Sequence, residues 1–188
     1  ALRSLSLLGI LDNKSGKGTY LKTAPNRWPI EPFLIVSLES SNLLSMFEAR
    51  HELELVVVQW AAERRTKSDL KKMEIALKKM GETIDQPMVF IDQEISFHKA
   101  IVNAAKNAII ADFMDVLYDQ LRSTRASFYQ SYSNKVPKTK ASHLMKKGES
   151  WGPDNPQYLA DLVKKHERIF DAIVKKDSMK AQKFADEH

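Results

Sequence analysis

Apolar side chains at helical spacing, from about Leu34 to the end of the chain, constrain the fold more than any other feature of the sequence. Within residues 43–65 the apolar positions follow a period near 3.6 residues, which is the period of an amphipathic helix. The same pattern predicts further helices over residues 67–81, 86–105, 107–128, 158–175 and 178–188. The sequence therefore predicts a mainly α protein, built as an antiparallel all-helical bundle over residues 34–188.

Residues 134–157 interrupt this helical pattern with three prolines, two glycines and five lysines. Such a composition is typical of a long surface loop. We predict that the segment either forms a lid or lies free in solvent, and that His143 within it is solvated.

The first 33 residues have a different character from the rest of the chain. Three leucines at helical spacing before Gly9 predict the end of an amphipathic helix. Short β-prone runs on both sides of residues 13–18, which are rich in turn-forming residues, predict a small hairpin with lysines at its tip. Three prolines within residues 25–32 oppose a continuous helix and indicate a linker.

Positive charge is concentrated in the same segment. Of the net charge of +5, residues 1–30 hold +4, because five basic residues there face one acidic residue, Asp12. A basic excess confined to a short segment indicates an anionic partner, with nucleic acid the leading candidate. A solvated basic segment without a partner is the alternative, and charge alone does not choose between them.

Four potential metal ligands stand at spacings that helices could bring together. Glu94 and His98 are four residues apart and therefore lie about 40° from each other around one helix. His166 and His188 are 22 residues apart, which fits two short helices joined by a turn at residues 175–178. Imidazole and carboxylate ligands without a thiolate suit zinc, nickel, manganese or iron. The sequence predicts a divalent transition metal site, and a chance grouping of histidines is the alternative.

Features that would take the protein to a membrane are not found in the sequence. No stretch of 18 apolar residues occurs, and residues 1–5 lack the layout of a signal peptide. The chain has no cysteine, which is compatible with a reducing compartment. We therefore predict a cytoplasmic protein with no membrane partner.

With these elements in order, the sequence resembles the GntR superfamily of bacterial transcriptional regulators, in the FadR-like branch with a helical FCD domain. Residues 15–21, Ser-Gly-Lys-Gly-Thr-Tyr-Leu, look like the wing of the family's DNA-binding domain. In the helical part, three blocks match the family in order and spacing, namely Phe47–Arg50 with Ala61–Arg64, Glu94–His98, and His166–His188.

The resemblance implies a homodimer that binds a double-stranded DNA operator and responds to a small carboxylate effector. Residues 1–24 would form the C-terminal part of a winged helix-turn-helix domain, residues 25–33 a linker, and residues 34–188 the effector-binding and dimerisation domain. Because residues 1–30 hold only part of a winged helix, we expect the remaining helices of that domain to come from a longer parent protein.

The resemblance also implies the residues of each site. The metal ligands would be Glu94, His98, His166 and His188. The effector-binding residue that the family implies is Arg50; we also predict Asn107 and Arg122 as effector-binding, with Arg122 and Arg125 on the long helix weaker candidates than Arg50. The DNA-binding residues would be Arg3 in the major groove, and Lys14, Lys17 and Gly18 in the wing.

Two of these assignments have specific alternatives. The family usually has aspartate in place of Glu94, and the extra methylene leaves metal affinity and metal choice open. Arg50 suits bidentate binding of a carboxylate, but a surface salt bridge with Glu54 at i+4 is the competing interpretation.

A metal-dependent enzyme acting on a small carboxylic acid is a second interpretation of the same ligands. No general base or nucleophile stands at a motif-like spacing beside them, and Asp92 lies about 200° from Glu94 around an ideal helix. A structural metal site in a dimerisation module is a third interpretation. We predict a regulator without enzymatic activity.

Overall fold

The computed structural model describes residues 11–21, 43–135 and 155–188. The chain divides into two compact units, Ala1–Ser41 and Asn42–His188. Four expectations concern residues outside the described ranges and therefore stay predictions. They are the helix end before Gly9, the DNA contact of Arg3, the linker at residues 25–33 and the solvated His143.

The described part of the first unit is an antiparallel hairpin. Strand β1 (Leu11–Lys14) pairs with β2 (Gly18–Leu21), so that Leu11 faces Leu21 and Lys14 faces Gly18. Gly16 and Gly18 have φ of +72° and +101°, a region that glycine adopts without steric cost. Lys14 and Lys17 are exposed at the tip. The predicted hairpin with a lysine-bearing tip is confirmed.

The second unit contains six helices within the described residues. They are α1 (Leu43–Arg64), α2 (Lys67–Glu82), α3 (Pro87–Ala104), α4 (Ala108–Lys135), α5 (Pro156–Val174) and α6 (Ser178–Asp186). The predicted mainly α bundle is confirmed. Both helices that flank the predicted loop extend into it, since α4 runs to Lys135 and α5 begins at Pro156. None of the helices in the described residues combines the length and apolar character needed to cross a bilayer.

Helix α1 is the central element of the bundle and packs against α3, α4, α5 and α6, while α2 packs on α3 and α5. Apolar side chains from all six helices of the described residues fill the space between them. The largest of the fully buried side chains are Phe90, Phe97, Met73, Met80, Ile101, Met114, Leu117, Tyr118, Leu121, Ile169 and Ile173. The candidate metal ligands therefore lie among well-packed elements.

Polar side chains fix where several helices begin. Thr66 and Asp69 form a capping box at the start of α2, which satisfies backbone N–H groups that the helix itself leaves unpaired. The Asn107 side chain accepts a hydrogen bond from the Ile110 N–H at 3.2 Å. This contact confirms the predicted cap of the long helix.

The turn between α5 and α6 brings the end of the chain back to the bundle. Lys176 has φ of +57°, and the Asp177 N–H donates to the Ala172 carbonyl at 3.0 Å, which together end α5 in a left-handed cap. Asp177 then caps α6 by accepting from the Lys180 N–H at 3.0 Å. Because α6 also packs on α1, His188 is directed towards His166.

Candidate metal centre

Four side chains from distant parts of the chain converge in the helical unit. Glu94 and His98 come from α3, His166 from α5, and His188 follows α6. Each offers one ligand atom, and these four atoms all lie within 4.8 Å of one another. Glu94, His98 and His166 are buried, and His188 is partly buried. The predicted ligand set is thus brought together at one place.

The three imidazoles point the same ring nitrogen at a common centre. The Nε2 atom of His166 lies 3.1 Å from Nε2 of His98 and 2.7 Å from Nε2 of His188. Nitrogens bound to one ion at about 2.0–2.1 Å would be about 2.9 Å apart at a right angle and about 3.4 Å apart at a tetrahedral angle. The spacing of the imidazoles is therefore close to that of neighbouring ligands on one metal ion.

The outer nitrogens of two of these rings are engaged by hydrogen bonds that fix the tautomer. Nδ1 of His166 lies 2.7 Å from the Leu162 carbonyl oxygen, and Nδ1 of His98 lies 3.0 Å from Oε1 of Glu54. Since both partners accept, each Nδ1 carries the proton and each Nε2 presents a lone pair. In neutral rings these two lone pairs would face each other at 3.1 Å, an arrangement that is favourable only with a proton or a metal ion between them.

The fourth ligand candidate, Glu94, is held by two arginines. Its Oε2 accepts from Nη1 of Arg125 at 2.9 Å, and its Oε1 accepts from Nη2 of Arg50 at 3.5 Å. Burial acts to raise the pKa of Glu94, but the charges of Arg125 and Arg50 outweigh it, so that the pKa lies well below its usual range. Glu94 is therefore an ionised carboxylate, as metal ligation requires.

A second carboxylate, Glu54, lies beside the cluster with 14% of its side chain exposed. Its Oε1 accepts hydrogen bonds from Nε of Arg50 at 2.8 Å and from the hydroxyl of Tyr118 at 2.6 Å, in addition to Nδ1 of His98. Burial acts to raise the pKa of Glu54, but the charge of Arg50 and the hydrogen bonds from His98 and Tyr118 lower it well below the ordinary value. Arg50 and Glu54 do form the alternative salt bridge, but the pair is buried.

Burial favours the neutral form of two of the histidines. It lowers the pKa of His166 well below its ordinary value, and it lowers the pKa of His188 to about 4. Neighbouring imidazoles act in the same direction, because a charge on one ring disfavours a charge on the next. Neutral imidazole is the form that binds metal, so these rings need release no proton at neutral pH.

The lowered pKa of His188 predicts that the metal-free protein loses stability in mild acid. His188 takes up a proton below its ordinary pKa of 6.5 when unfolded, but only below about 4 when folded. Because the unfolded state binds more protons in that window, His188 alone should lower the free energy of unfolding by about 2 kcal/mol from pH 7.5 to pH 5, and the lowered pKa of His166 acts in the same direction. Urea unfolding of chelator-treated protein at several pH values measures this slope. A His188→Gln variant should show a flatter slope, and an unchanged slope would contradict the assignment.

The structure does not bring every predicted effector residue to the cluster. Asn107 uses its side chain as a helix cap, and it follows the end of α3 at Ala104, which is six residues or about 9 Å of helical rise beyond His98. The Arg122 side chain is 47% exposed and pairs with Asp92 on the surface. The arginine of α4 that reaches the cluster is Arg125, and Arg50 reaches it from α1.

Two residues of the cluster were missed by sequence reasoning. The sequence indicates Glu54 only as a surface partner of Arg50, and Tyr118 lies among the apolar positions of α4. The i+4 spacing of Arg50 and Glu54 on a helix with a buried face was the one available signal. Tyr118 had no signal in the sequence, because its partner is 64 residues away.

Comparisons with known proteins agree with this fold. The FCD domain family matches residues 45–188. The HTH-type transcriptional regulator LutR of Bacillus subtilis is 26% identical over 187 residues, which cover 97% of this chain and 75% of LutR. The galactonate operon transcriptional repressor of Escherichia coli is 25% identical over 124 residues, which cover 66% of this chain and 52% of the repressor.

A solved structure has the same fold. The GntR protein of Streptococcus agalactiae matches with a TM-score of 0.63 at 17% identity, over 100% of this chain and 75% of that protein. The relatives found by sequence are transcriptional regulators and not enzymes. Since the family match covers most of the chain, the protein belongs to the FCD-domain branch of the GntR family of transcriptional regulators.

Proposed function

We propose that the helical unit is the ligand-sensing part of a bacterial transcriptional regulator and that it binds one divalent transition metal ion together with a small carboxylate effector. The metal ligands would be Glu94, His98, His166 and His188. The observation that carries the proposal is the convergence of three Nε2 atoms, two of which present lone pairs to each other. Zinc, nickel and manganese all suit this ligand set.

Charge at the site supports an anionic effector. The positive charges of Arg50 and Arg125 are balanced by the negative charges of Glu54 and Glu94. A divalent ion added to this balanced set would leave an excess of two positive charges, and a carboxylate would offset one of them. A bound ion would also supply open coordination positions for carboxylate oxygens, and Arg50 would provide a planar second contact.

The DNA-binding half of the proposal rests on the hairpin and on the family. Lys14 and Lys17 are exposed on an antiparallel hairpin, where they would contact phosphate or the minor groove, with Gly18 allowing close approach and Arg3 facing the major groove. The regulator would act as a homodimer in the cytoplasm on a double-stranded DNA operator. Effector binding would alter operator affinity by favouring one arrangement of the two DNA-binding units.

Thermal unfolding with a panel of small carboxylates tests the ligand. Galactonate belongs in the panel because one relative is a galactonate operon repressor. An effector at 100 times its dissociation constant should add about 2.7 kcal/mol to the stability of the metal-loaded protein, or about 5 to 11 °C in melting temperature.

Each alternative predicts a different result in this assay. A purely structural metal site predicts tight metal retention and no further stabilisation by any acid. A metal-dependent enzyme predicts steady turnover of the acid that stabilises it. Either result would reject the effector-sensing proposal.

A further inference from the structure

Glu54 connects three helices of the bundle through one oxygen atom. Its Oε1 accepts from Arg50 on its own helix, from His98 on α3 and from Tyr118 on α4. The Glu54 side chain is only 14% exposed. A buried carboxylate is costly to keep unless it is fully hydrogen-bonded, so three donors on one oxygen indicate a fixed orientation.

The contact with His98 determines which nitrogen of that ring faces the cluster. A carboxylate that accepts from Nδ1 holds the ring in the tautomer whose Nε2 is free to ligate, and it increases the basicity of that nitrogen. His98 has no other fixed partner at Nδ1 among the described residues. Without Glu54, the ring would be free to rotate or to change tautomer.

The contact with Arg50 determines where the guanidinium points. Nε of Arg50 is bound to Glu54, and Nη2 extends 3.5 Å from Oε1 of Glu94. Because the guanidinium is planar, fixing Nε fixes the direction of both Nη atoms. The orientation of Arg50 at the cluster therefore depends on Glu54.

We propose that Glu54 is a positioning residue shared by the metal-ligating His98 and the carboxylate-binding Arg50, so that both parts of the sensor depend on one side chain. The inference rests on the proposed function of the site. Tyr118 would secure Glu54 from α4, through a hydroxyl that has no other acceptor among the described residues.

Cobalt binding tests the first half of this proposal. Co²⁺ alone is titrated into metal-free wild type and a Glu54→Gln variant, and its visible absorption reports both affinity and coordination geometry. The variant should bind Co²⁺ about 10- to 100-fold more weakly, as outer-shell partners of metal-binding histidines typically show, and with an altered spectrum. Glu48→Gln on the same helix, where Glu48 is exposed, is the matched control and should leave both readouts unchanged.

Arginine side-chain NMR tests the second half without any ligand. The Nε–H signal of Arg50, assigned with an Arg50→Met variant, should be displaced and protected from exchange in wild type. It should move towards the exposed arginines in Glu54→Gln. If that variant does not fold, Glu54→Asp is used, because it keeps the charge but withdraws the oxygen from both partners and should change both readouts in the same direction.

The possible outcomes distinguish failure of the proposed metal site from failure of the positioning role of Glu54. Wild type that does not bind Co²⁺ would reject the metal site and the inference together. Wild type that binds Co²⁺, beside a Glu54 variant with unchanged Co²⁺ affinity or an unchanged Arg50 signal, would reject only the shared positioning role. Changes in both readouts, with the Glu48→Gln control unchanged, would support it.

Discussion

Replacing His166 with alanine is expected to abolish metal binding by the helical unit. Nε2 of His166 is the nitrogen closest to both other imidazoles, at 3.1 Å from His98 and 2.7 Å from His188, so its loss removes the centre of the ligand set. Affinity should fall by more than the 10- to 100-fold typical of losing an outer-shell partner. Element-resolved metal analysis of purified protein should change from about one equivalent to a background level.

His51→Ala is the matched control for this experiment. His51 is also a histidine of the bundle, but its side chain is 44% exposed and pairs with Asp186 at 3.2 Å, outside the ligand cluster. This variant should retain the full equivalent of metal. Equal metal content in wild type and His166→Ala would place the metal elsewhere. No metal in wild type, even after incubation with zinc, nickel and manganese, would mean that Glu94 in place of the usual aspartate has disabled the site.

Each half of the ligand cluster could be predicted because the spacing of its residues within one helix or one helical hairpin is local information. Glu94 and His98 share one face of a helix through their i+4 spacing, and the turn after Val174 could be recognised from residues 175–178. Each relation depends on the regular geometry of one helix or one hairpin of helices. The resemblance to a known family then joined the two halves, which spacing alone could not do.

The surroundings of the cluster could not be predicted in the same way. Arg122 and Arg125 are three residues apart on α4 and point about 60° apart around its axis. Which of them reaches Glu94 depends on how α4 is rotated against α3, and that rotation is set by packing of many side chains. The contact of Tyr118 with Glu54, across 64 residues, depends on the same packing.

Replacing Arg50 with methionine is expected to destabilise the metal-free protein strongly. Arg50 is only 8% exposed and pairs with the buried Glu94 and with Glu54, whose side chain is 14% exposed. Removing one partner of a buried ion pair typically costs about 3 to 5 kcal/mol. We expect about 3 kcal/mol here, because Glu54 keeps Tyr118 and His98 and Glu94 keeps Arg125. Urea unfolding measures the change, which corresponds to about 6 to 12 °C in melting temperature.

Arg122→Met is the control that isolates the effect of burial. Arg122 pairs with Asp92 through two nitrogens, but the pair is exposed, and exposed pairs contribute about 0 to 1 kcal/mol.

Acid should also narrow the gap in free energy of unfolding between Arg50→Met and wild type. The ionised forms of Glu54 and Glu94, whose pKa values lie below the ordinary range in wild type, stabilise the fold above their unfolded pKa of about 4.3. Below it wild type loses that stability, whereas the variant has less to lose because its carboxyl groups protonate more readily. A gap that stays constant from pH 7 to pH 3, well below that unfolded pKa, would mean that Arg50 acts through packing and not through its charge.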